Sequence, residues 1–248
     1  MGDKMNYLDD IKTYWNRRAE GYSISNRESL ENNEKNEYEE ILKKYISPKN
    51  NFKAIDMGCG PGFLAIILAG LGCEAYAFDC TENMLLKAEE NANGLGVKIH
   101  TIQGDAQKPN FEDNTFDLLV TRNLIWNLEN PEKAYKEWIR ILKPGGKLIV
   151  FDGNHYCYMF DERYMEERKS VTHINDHKNM MGVSTEAIDK IAYDLPLSKI
   201  IRPQWDKNML ESLGSRIIDI EINEISYKSK ENEDMKLIKN FIIIAEVK

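Results

Sequence analysis

The strongest constraint on the fold is a glycine-rich turn between a short apolar run and a helical segment. Glycine stands at positions 58, 60 and 62, directly after the apolar run that ends at Met57. Glycines let a backbone turn tightly and approach a ligand without obstruction by a Cβ atom. Such a turn also directs free backbone N–H groups toward one point, where they can bind a carboxylate or a phosphate. The alternative is a tight strand-to-helix turn that binds no ligand.

On both sides of this turn, short apolar runs alternate with helical periodicity, which indicates βαβ units and a parallel sheet. We predict strands at residues 53–57, 74–78, 97–102, 116–120, 147–151, 216–222 and 241–247. Pro61 suits the first position of a helix, Thr81 suits a helix cap, and Lys143 begins a turn. The predicted fold class is α/β, a Rossmann-like, doubly wound sheet of seven strands with helices on both faces.

The length of 248 residues fits one α/β domain with additional segments. We predict a single domain over residues 1–248, with a helical N-terminal cap at 1–50 and a cofactor-binding core at 51–152. A helical lid insertion follows the fifth strand at 153–203, and residues 204–248 complete the core. The insertion is predicted because the alternation stops there for about fifty residues.

Charge and composition restrict the partners of the protein. A net charge of −8 and a pI of about 5.2 disfavour binding to nucleic acid and to anionic lipid headgroups. The longest apolar stretch, residues 63–71, is too short to span a bilayer. The four cysteines lack metal-ligand spacing and are interpreted as reduced thiols, which favours a cytoplasmic location. We expect a small-molecule partner, no nucleic acid, no membrane, and a monomer or homodimer.

Two aspartates follow predicted strands at the same edge of the sheet as the glycine turn. Asp79 lies about twenty residues beyond the glycines, where a carboxylate can accept hydrogen bonds from ribose hydroxyls; the alternative is a helix cap. Asp105 could accept a hydrogen bond from an adenine amino group, or serve as an ordinary turn residue. A dinucleotide-binding dehydrogenase would need glycine at position 63, which is Phe63 here, so a nicotinamide-dependent oxidoreductase is disfavoured.

Taken in order, residues 14–151 resemble the class I S-adenosylmethionine-dependent methyltransferases, in particular the bacterial small-molecule branch that includes the ubiquinone-pathway enzymes. The resemblance implies S-adenosylmethionine as the cofactor and methyl transfer to an oxygen, nitrogen or sulfur atom of a small molecule. A protein that binds this cofactor without transferring methyl groups, as a sensor or assembly partner, is the alternative.

The same resemblance implies the residues that bind the cofactor. The acidic residue and the glycine turn would hold the methionine portion, the second-strand aspartate and its neighbours the adenosine, and the N-terminal aromatic residues would fold over it. The implied set is Tyr14, Tyr22, Asp56, Gly58, Cys59, Gly60, Gly62, Asp79, Cys80, Met84, Asp105, Ala106, Arg122, Asn123 and Trp126. For Trp126 a place in the core is the competing interpretation, and for the N-terminal aromatics it is a plain amphipathic helix.

The acceptor side is less constrained by the sequence. His155 follows the fifth strand, where a neutral imidazole could accept a proton from the acceptor, although a structural histidine is the alternative. We expect further acceptor contacts from the insertion and list them here: Tyr156, Tyr158, His173, His177 and Arg202. His173 and His177 have helical i, i+4 spacing, but a neighbouring glutamate and a third ligand are missing, so no metal is predicted.

Overall fold

The computed structural model describes residues 7–47, 51–170 and 179–248. In this part of the chain one sheet contains seven strands. The strands are β1 (Lys53–Met57), β2 (Glu74–Asp79), β3 (His100–Gln103), β4 (Phe116–Arg122), β5 (Leu142–Gly153), β6 (Arg216–Lys228) and β7 (Asp234–Glu246). Their order across the sheet is β3-β2-β1-β4-β5-β7-β6. Strands β1 to β5 are parallel, whereas β7 runs antiparallel to both β5 and β6.

Helices cover both faces of this sheet. They are α1 (Tyr7–Glu31), α2 (Asn33–Lys43), α3 (Phe63–Gly70), α4 (Glu82–Gly94), α5 (Pro131–Ile141), α6 (Glu162–Ser170), α7 (Glu186–Asp194) and α8 (Gln204–Ser212). On one face Tyr135 and Trp138 of α5 pack with Leu210 of α8. On the other face Phe63 of α3 and Leu42 of α2 belong to a separate cluster. The predicted α/β class with a doubly wound sheet is therefore confirmed.

Several predicted boundaries are wrong for local reasons. The N-terminal helix is interrupted at Asn32, whose side chain accepts the Glu34 N–H at 2.7 Å and begins a new helix. Helix α3 begins at Phe63 and not at Pro61, because Gly62 has a φ of +90°, which a right-handed helix cannot include. The third strand begins at His100 and not at residue 97, since the Val97 N–H still donates to the carbonyl of Ala92 in α4.

The order of the strands in the sheet indicates where a ligand would bind. The chain leaves β1 toward β2 and β3 on one side, and it crosses to β4 and β5 on the other, so the direction of winding reverses between β1 and β4. Ligands of open α/β sheets bind in the crevice outside the carboxyl ends of the strands at such a reversal. The glycine turn after β1, Asp79 at the end of β2, and Arg122 at the end of β4 all lie there. Among the described residues, no helix has the length and apolar character needed to cross a membrane.

Candidate active site

The glycine turn is fixed to the end of the neighbouring strand. The N–H groups of Gly58 and Cys59 both donate to the carbonyl of Phe78, at 2.7 and 3.0 Å. Gly58 has a φ of +71°, and a Cβ atom there would lie 2.7 Å from the side chain of Leu124. Gly60 has a φ of +52° and faces the ring of Tyr22. The turn thus passes close to the loop after β4 and to helix α1, as only glycine allows at position 58.

Asp79 joins this turn to the start of α4. One carboxylate oxygen accepts the Gly60 N–H at 2.9 Å, and the other accepts the N–H and hydroxyl of Thr81 at 2.9 and 2.7 Å. Desolvation raises the pKa of Asp79, and the hydrogen bonds from Thr81 and Gly60 oppose this effect. The carboxylate therefore helps to organise the turn while it lines the crevice. Both interpretations of Asp79, as a structural acceptor and as a ligand contact, are compatible with this position.

Three residues of the predicted set lie behind the turn and line neither cavity described below. Asp56 is 2% exposed, and its carboxylate accepts the Ala65 N–H of α3 at 3.0 Å. Burial raises the pKa of Asp56 to about 7. The Cys59 thiol bonds to the Gly60 carbonyl at 3.3 Å, and Gly62 lies against Ala88 of α4. These residues shape the turn and its junction with the helices.

A narrow crevice of about 80 Å³ runs along the carboxyl ends of β1, β2 and β4. Ten residues of the predicted set line it together: Tyr22, Gly58, Gly60, Asp79, Cys80, Met84, Asp105, Ala106, Arg122 and Asn123. Ligand pockets usually measure about 300–1,000 Å³. The crevice is therefore smaller than a usual ligand pocket, and Trp15 and Tyr22 of α1 belong to its lining.

Asp105 and Arg122 both line the crevice, but their partners within the protein differ. One Asp105 oxygen accepts the N–H of Gln107 at 2.9 Å and the side-chain amide of Gln107 at 3.2 Å. The Arg122 guanidinium lies 3.9 Å from the ring centroid of Phe63 and 3.2 Å from the carboxylate of Glu34. Arg122 consequently connects β4 to α2 and α3, in addition to its place in the crevice wall.

The sequence analysis missed part of the crevice. The further lining residues are Leu8, Ile11, Trp15, Phe78, Gln107, Leu124, Asn127, Leu128 and Glu129. Asn127 is 5% exposed, and its side-chain oxygen has no hydrogen-bond partner among the described residues. Buried acceptors of this kind are normally hydrogen-bonded to another protein group or to ordered water. Because Asn127 lies in a short helix after β4, sequence spacing contains no signal for its orientation.

A second cavity of about 400 Å³ adjoins the crevice, and Trp15, Tyr22 and Asn123 line both. Two residues of the predicted cofactor set, Tyr14 and Trp126, line this second cavity and not the crevice. It lies between α1 and the segment that follows β5, and its size suits a small molecule. The expected acceptor residues His155, Tyr156 and Tyr158 also line it.

His155 lines the second cavity beside Asn123, which lines both spaces. Its Nε2 atom is 3.2 Å from the side-chain oxygen of Asn123 and 3.4 Å from a carboxylate oxygen of Asp152. Burial alone would raise the pKa of Asp152, but the charge of Arg202 and the contact with His155 outweigh it and lower the pKa. A charged carboxylate beside Nε2 favours a proton on that nitrogen, which leaves Nδ1 as the basic atom.

Arg202 does not reach the second cavity, contrary to its predicted role as an acceptor contact. It is 1% exposed and contacts Asp152 at 2.9 Å and Asp206 at 2.5 Å. The hydroxyl of Tyr135 donates to Asp206 at 2.7 Å. His173 and His177 lie outside the described residues. Within the described ranges, no group of three or more His, Cys, Asp or Glu side chains is arranged to hold a metal ion.

Comparisons with known proteins agree with this geometry. Residues 55–150 match the family model described as a methyltransferase domain. The ubiquinone/menaquinone biosynthesis C-methyltransferase of Roseobacter denitrificans is 32% identical over 120 residues, which cover 46% of this chain and 48% of the relative. Norajmaline N-methyltransferase of Rauvolfia serpentina is 31% identical over 180 residues, which cover 70% of this chain and 59% of the relative. The chain thus matches about half the length of these curated relatives.

Solved structures extend the likeness beyond the matched segment. The S-adenosylmethionine-dependent methyltransferase structure from Methanosarcina mazei superposes with a TM-score of 0.56 at 20% identity, covering 83% of this chain and 96% of that chain. At this identity the likeness concerns the fold. By the family match, residues 55–150 form a methyltransferase domain, and the strand order and the glycine turn beside Asp79 are similar to those of the class I S-adenosylmethionine-dependent methyltransferases.

Proposed function

We propose that this protein transfers the methyl group of S-adenosylmethionine to an oxygen, nitrogen or sulfur atom of a small molecule. The observation that carries the proposal is the junction of two spaces at one edge of the sheet. A crevice lined by the glycine turn, Asp79 and Asp105 meets a larger cavity beside His155, and Asn123 lines both. This arrangement suits a reaction in which two bound molecules meet at a common boundary.

The crevice residues fit the chemistry of the cofactor. Asp79 would accept hydrogen bonds from the ribose hydroxyls, and the N–H groups of the glycine turn would bind the carboxylate. Asp105 is an acceptor suited to an amino group. When bound, the sulfonium compound supplies an activated methyl group, so the protein mainly has to align the acceptor and exclude water.

The second cavity would hold the acceptor beneath a helical cover. Residues from α1 and from the segment at 153–203 supply most of its lining, including Trp15, Arg18, Tyr158 and Ile188. We assign these two segments as the cap and the lid of the site. Helices that close over a cavity exclude water from it, which strengthens polar contacts inside.

His155 is our candidate for the general base. With Nε2 directed at Asp152 and Asn123, its Nδ1 atom would take the proton of a hydroxyl or thiol nucleophile, or that of an ammonium group before its nitrogen attacks. The relatives named above are a C-methyltransferase and an N-methyltransferase, so their names support a small-molecule acceptor without selecting the atom. In the structural alternative, His155 only makes hydrogen bonds and takes no proton from the acceptor.

Isothermal titration calorimetry with S-adenosylmethionine tests the proposal. We expect Asp79→Ala to weaken binding about 10- to 100-fold, because hydrogen bonds to a charged group contribute about 1.5–3 kcal/mol. Asp79→Asn separates the loss of charge from disruption of the turn, and Asp234→Ala, on the exposed hairpin, is the matched control. Production of S-adenosylhomocysteine with a metabolite panel then separates an enzyme from a protein that only binds. Absence of binding by the unaltered protein would overturn the assignment.

A further inference from the structure

We infer that a buried charge network, formed by Asp152, Arg202 and Asp206, stabilises His155 when this histidine takes a proton from the acceptor. The three side chains line neither cavity, so Arg202 and Asp206 act through Asp152 as positioning residues. The inference rests on the proposed function, because it concerns the base of that same site. Burying charged groups costs free energy that apolar packing would avoid, so the charges of this network call for a role beyond stability.

The charge network contains one more negative charge than positive charges. Asp152, Arg202 and Asp206 are all buried and alternate in sign. Arg202 donates two hydrogen bonds to Asp206, from Nε at 2.8 Å and from Nη2 at 2.5 Å. The hydroxyl of Tyr135 donates to the same carboxylate at 2.7 Å. Three donors of this kind favour the ionised form of Asp206, so two carboxylates share a single guanidinium.

The two carboxylates share Arg202 unequally. Its Nη1 atom lies 2.9 Å from an oxygen of Asp152, but this contact is not aligned as a hydrogen bond. The hydrogen bonds to Asp152 come from the backbone N–H groups of Ile125 and Gly153, at 3.2 and 2.8 Å. Despite burial, the charge of Arg202 lowers the pKa of Asp152, which is therefore ionised near neutral pH. Because Arg202 is aligned with Asp206, the excess negative charge lies on the side of Asp152.

His155 connects this network to the second cavity. Its Nε2 atom lies 3.4 Å from the Asp152 oxygen that does not contact Arg202, and 3.2 Å from the side-chain oxygen of Asn123. Two oxygen acceptors beside Nε2 keep a proton on that nitrogen and leave Nδ1 for the acceptor. A second proton makes the ring cationic, and this cation balances the excess negative charge of the network. A buried carboxylate in this position stabilises the imidazolium that forms during proton transfer.

Other charged side chains line the same cavity. They are Arg18 of α1, Glu167 and Arg168 of α6, and Lys239 of β7. Burial raises the pKa values of the tyrosines Tyr14, Tyr156 and Tyr164 in the cavity wall, which are therefore neutral near pH 7. All these groups are unchanged in the variants described below, so their contributions cancel when the variants are compared with the unaltered protein.

The proton transfer that follows is balanced. The acceptor gives its proton to Nδ1 of His155, and the electron pair of the broken bond stays on the acceptor atom. Nε2 keeps its own proton beside Asp152 and Asn123. The acceptor atom then forms its bond to the methyl carbon, and the electron pair of the bond between that carbon and sulfur stays on sulfur. The proton on His155 returns to solvent.

NMR titration of the histidine rings tests this inference without cofactor or turnover. His155→Gln identifies the signals of His155 among the four histidines by their loss. Asp152→Asn and Asp206→Asn each remove the excess negative charge and leave Arg202 paired with the remaining carboxylate. We expect the pH midpoint of the His155 signals to fall by about one pH unit or more in Asp152→Asn. In Asp206→Asn it should fall by at least about half a unit, a threefold loss of proton affinity.

Two controls separate charge from packing. Tyr135→Phe removes a hydrogen bond at Asp206 without changing any charge. Glu211→Gln removes an exposed charge from the same helix, α8, where water and salt screen it. Both should leave the midpoint within about 0.2 pH unit of the unaltered protein, because neither changes the buried charge. If Asp206→Asn is not folded in urea melts, Asp206→Leu carries the same test, since it removes the same charge and fills the space.

The outcomes separate this inference from the proposed function. A midpoint that Asp206→Asn leaves unchanged, or moves no further than Tyr135→Phe or Glu211→Gln does, would overturn this inference alone. Calorimetry should give equal binding of S-adenosylhomocysteine in all these variants, since none of the altered residues lines the crevice. Failure of the unaltered protein to bind S-adenosylhomocysteine would overturn the proposed function, whatever the NMR titration shows.

Discussion

Asp56→Asn should make the protein more stable at alkaline pH than the unaltered chain, although it alters a residue beside the glycine turn. Burial raises the pKa of Asp56 from 3.8 to about 7, and the Ala65 N–H and the charge of Arg122 only partly oppose this. Between those values the folded state holds a proton that the unfolded state has lost, so stability decreases as pH rises through the interval. At about 1.4 kcal/mol for each pH step, the ionised carboxylate costs up to about 4 kcal/mol above pH 7.

The asparagine variant removes this dependence and keeps an oxygen that can accept the Ala65 N–H. Urea denaturation of both proteins at pH 5 and pH 8 measures the difference in the free energy of unfolding. Other titrating groups are shared by the two proteins and cancel in that difference. We expect the advantage of Asp56→Asn to grow by several kcal/mol between the two pH values, whereas Asp234→Asn at an exposed site should show no such change. An advantage that is the same at both pH values would refute the reasoning.

Three further perturbations test the packing of the site. Gly58→Ala should lower the free energy of unfolding by about 1–3 kcal/mol, because φ is positive at this position and the added Cβ would overlap the side chain of Leu124. Gly70→Ala is the control, since the space around Gly70 is open and no loss is expected. Equal effects of the two substitutions in urea melts would contradict this. Arg202→Met should cost about 3–5 kcal/mol by leaving buried carboxylates unpaired, against less than about 1 kcal/mol for the exposed Arg216→Met, and a small loss at position 202 would refute the network. Tyr22→Ala should accelerate association of S-adenosylhomocysteine in stopped-flow fluorescence, since this ring narrows the crevice; an unchanged or slower rate would argue against closure by α1.

The sequence predicted what depends on local patterns. The glycine turn, the alternation of elements and the position of Asp79 follow from spacing along the chain, and the structure brings them together at one sheet edge. The start of α3 was misplaced because Pro61 is a common first helical residue, while the left-handed conformation of Gly62 delays the helix. The apolar side chain of Val97 favours a strand, but the Val97 N–H donates to the carbonyl of Ala92 in the preceding helix.

The features that the sequence did not predict depend on packing between residues far apart in the chain. Arginine is a residue type that often contacts ligands, yet Arg202 is 1% exposed and forms ion pairs with Asp152 and Asp206, which are far apart in the chain. Tyr14 of α1 and Trp126 in the short helix after β4 line the neighbouring cavity and not the crevice, and their contact with the cofactor stays a prediction. The unpartnered oxygen of Asn127 depends on side-chain orientation, which a linear pattern does not encode. The roles of the individual cofactor residues remain predictions for the binding experiments.

The wall that Trp15 and Tyr22 contribute to both spaces has a consequence for binding. Whichever molecule arrives first packs against these two rings, and any shift that it imposes on them changes the wall that the second molecule meets. By thermodynamic reciprocity, each ligand then changes the affinity of the other by the same factor. Equilibrium titrations should accordingly show that saturation with either ligand changes the affinity for the other by one common factor.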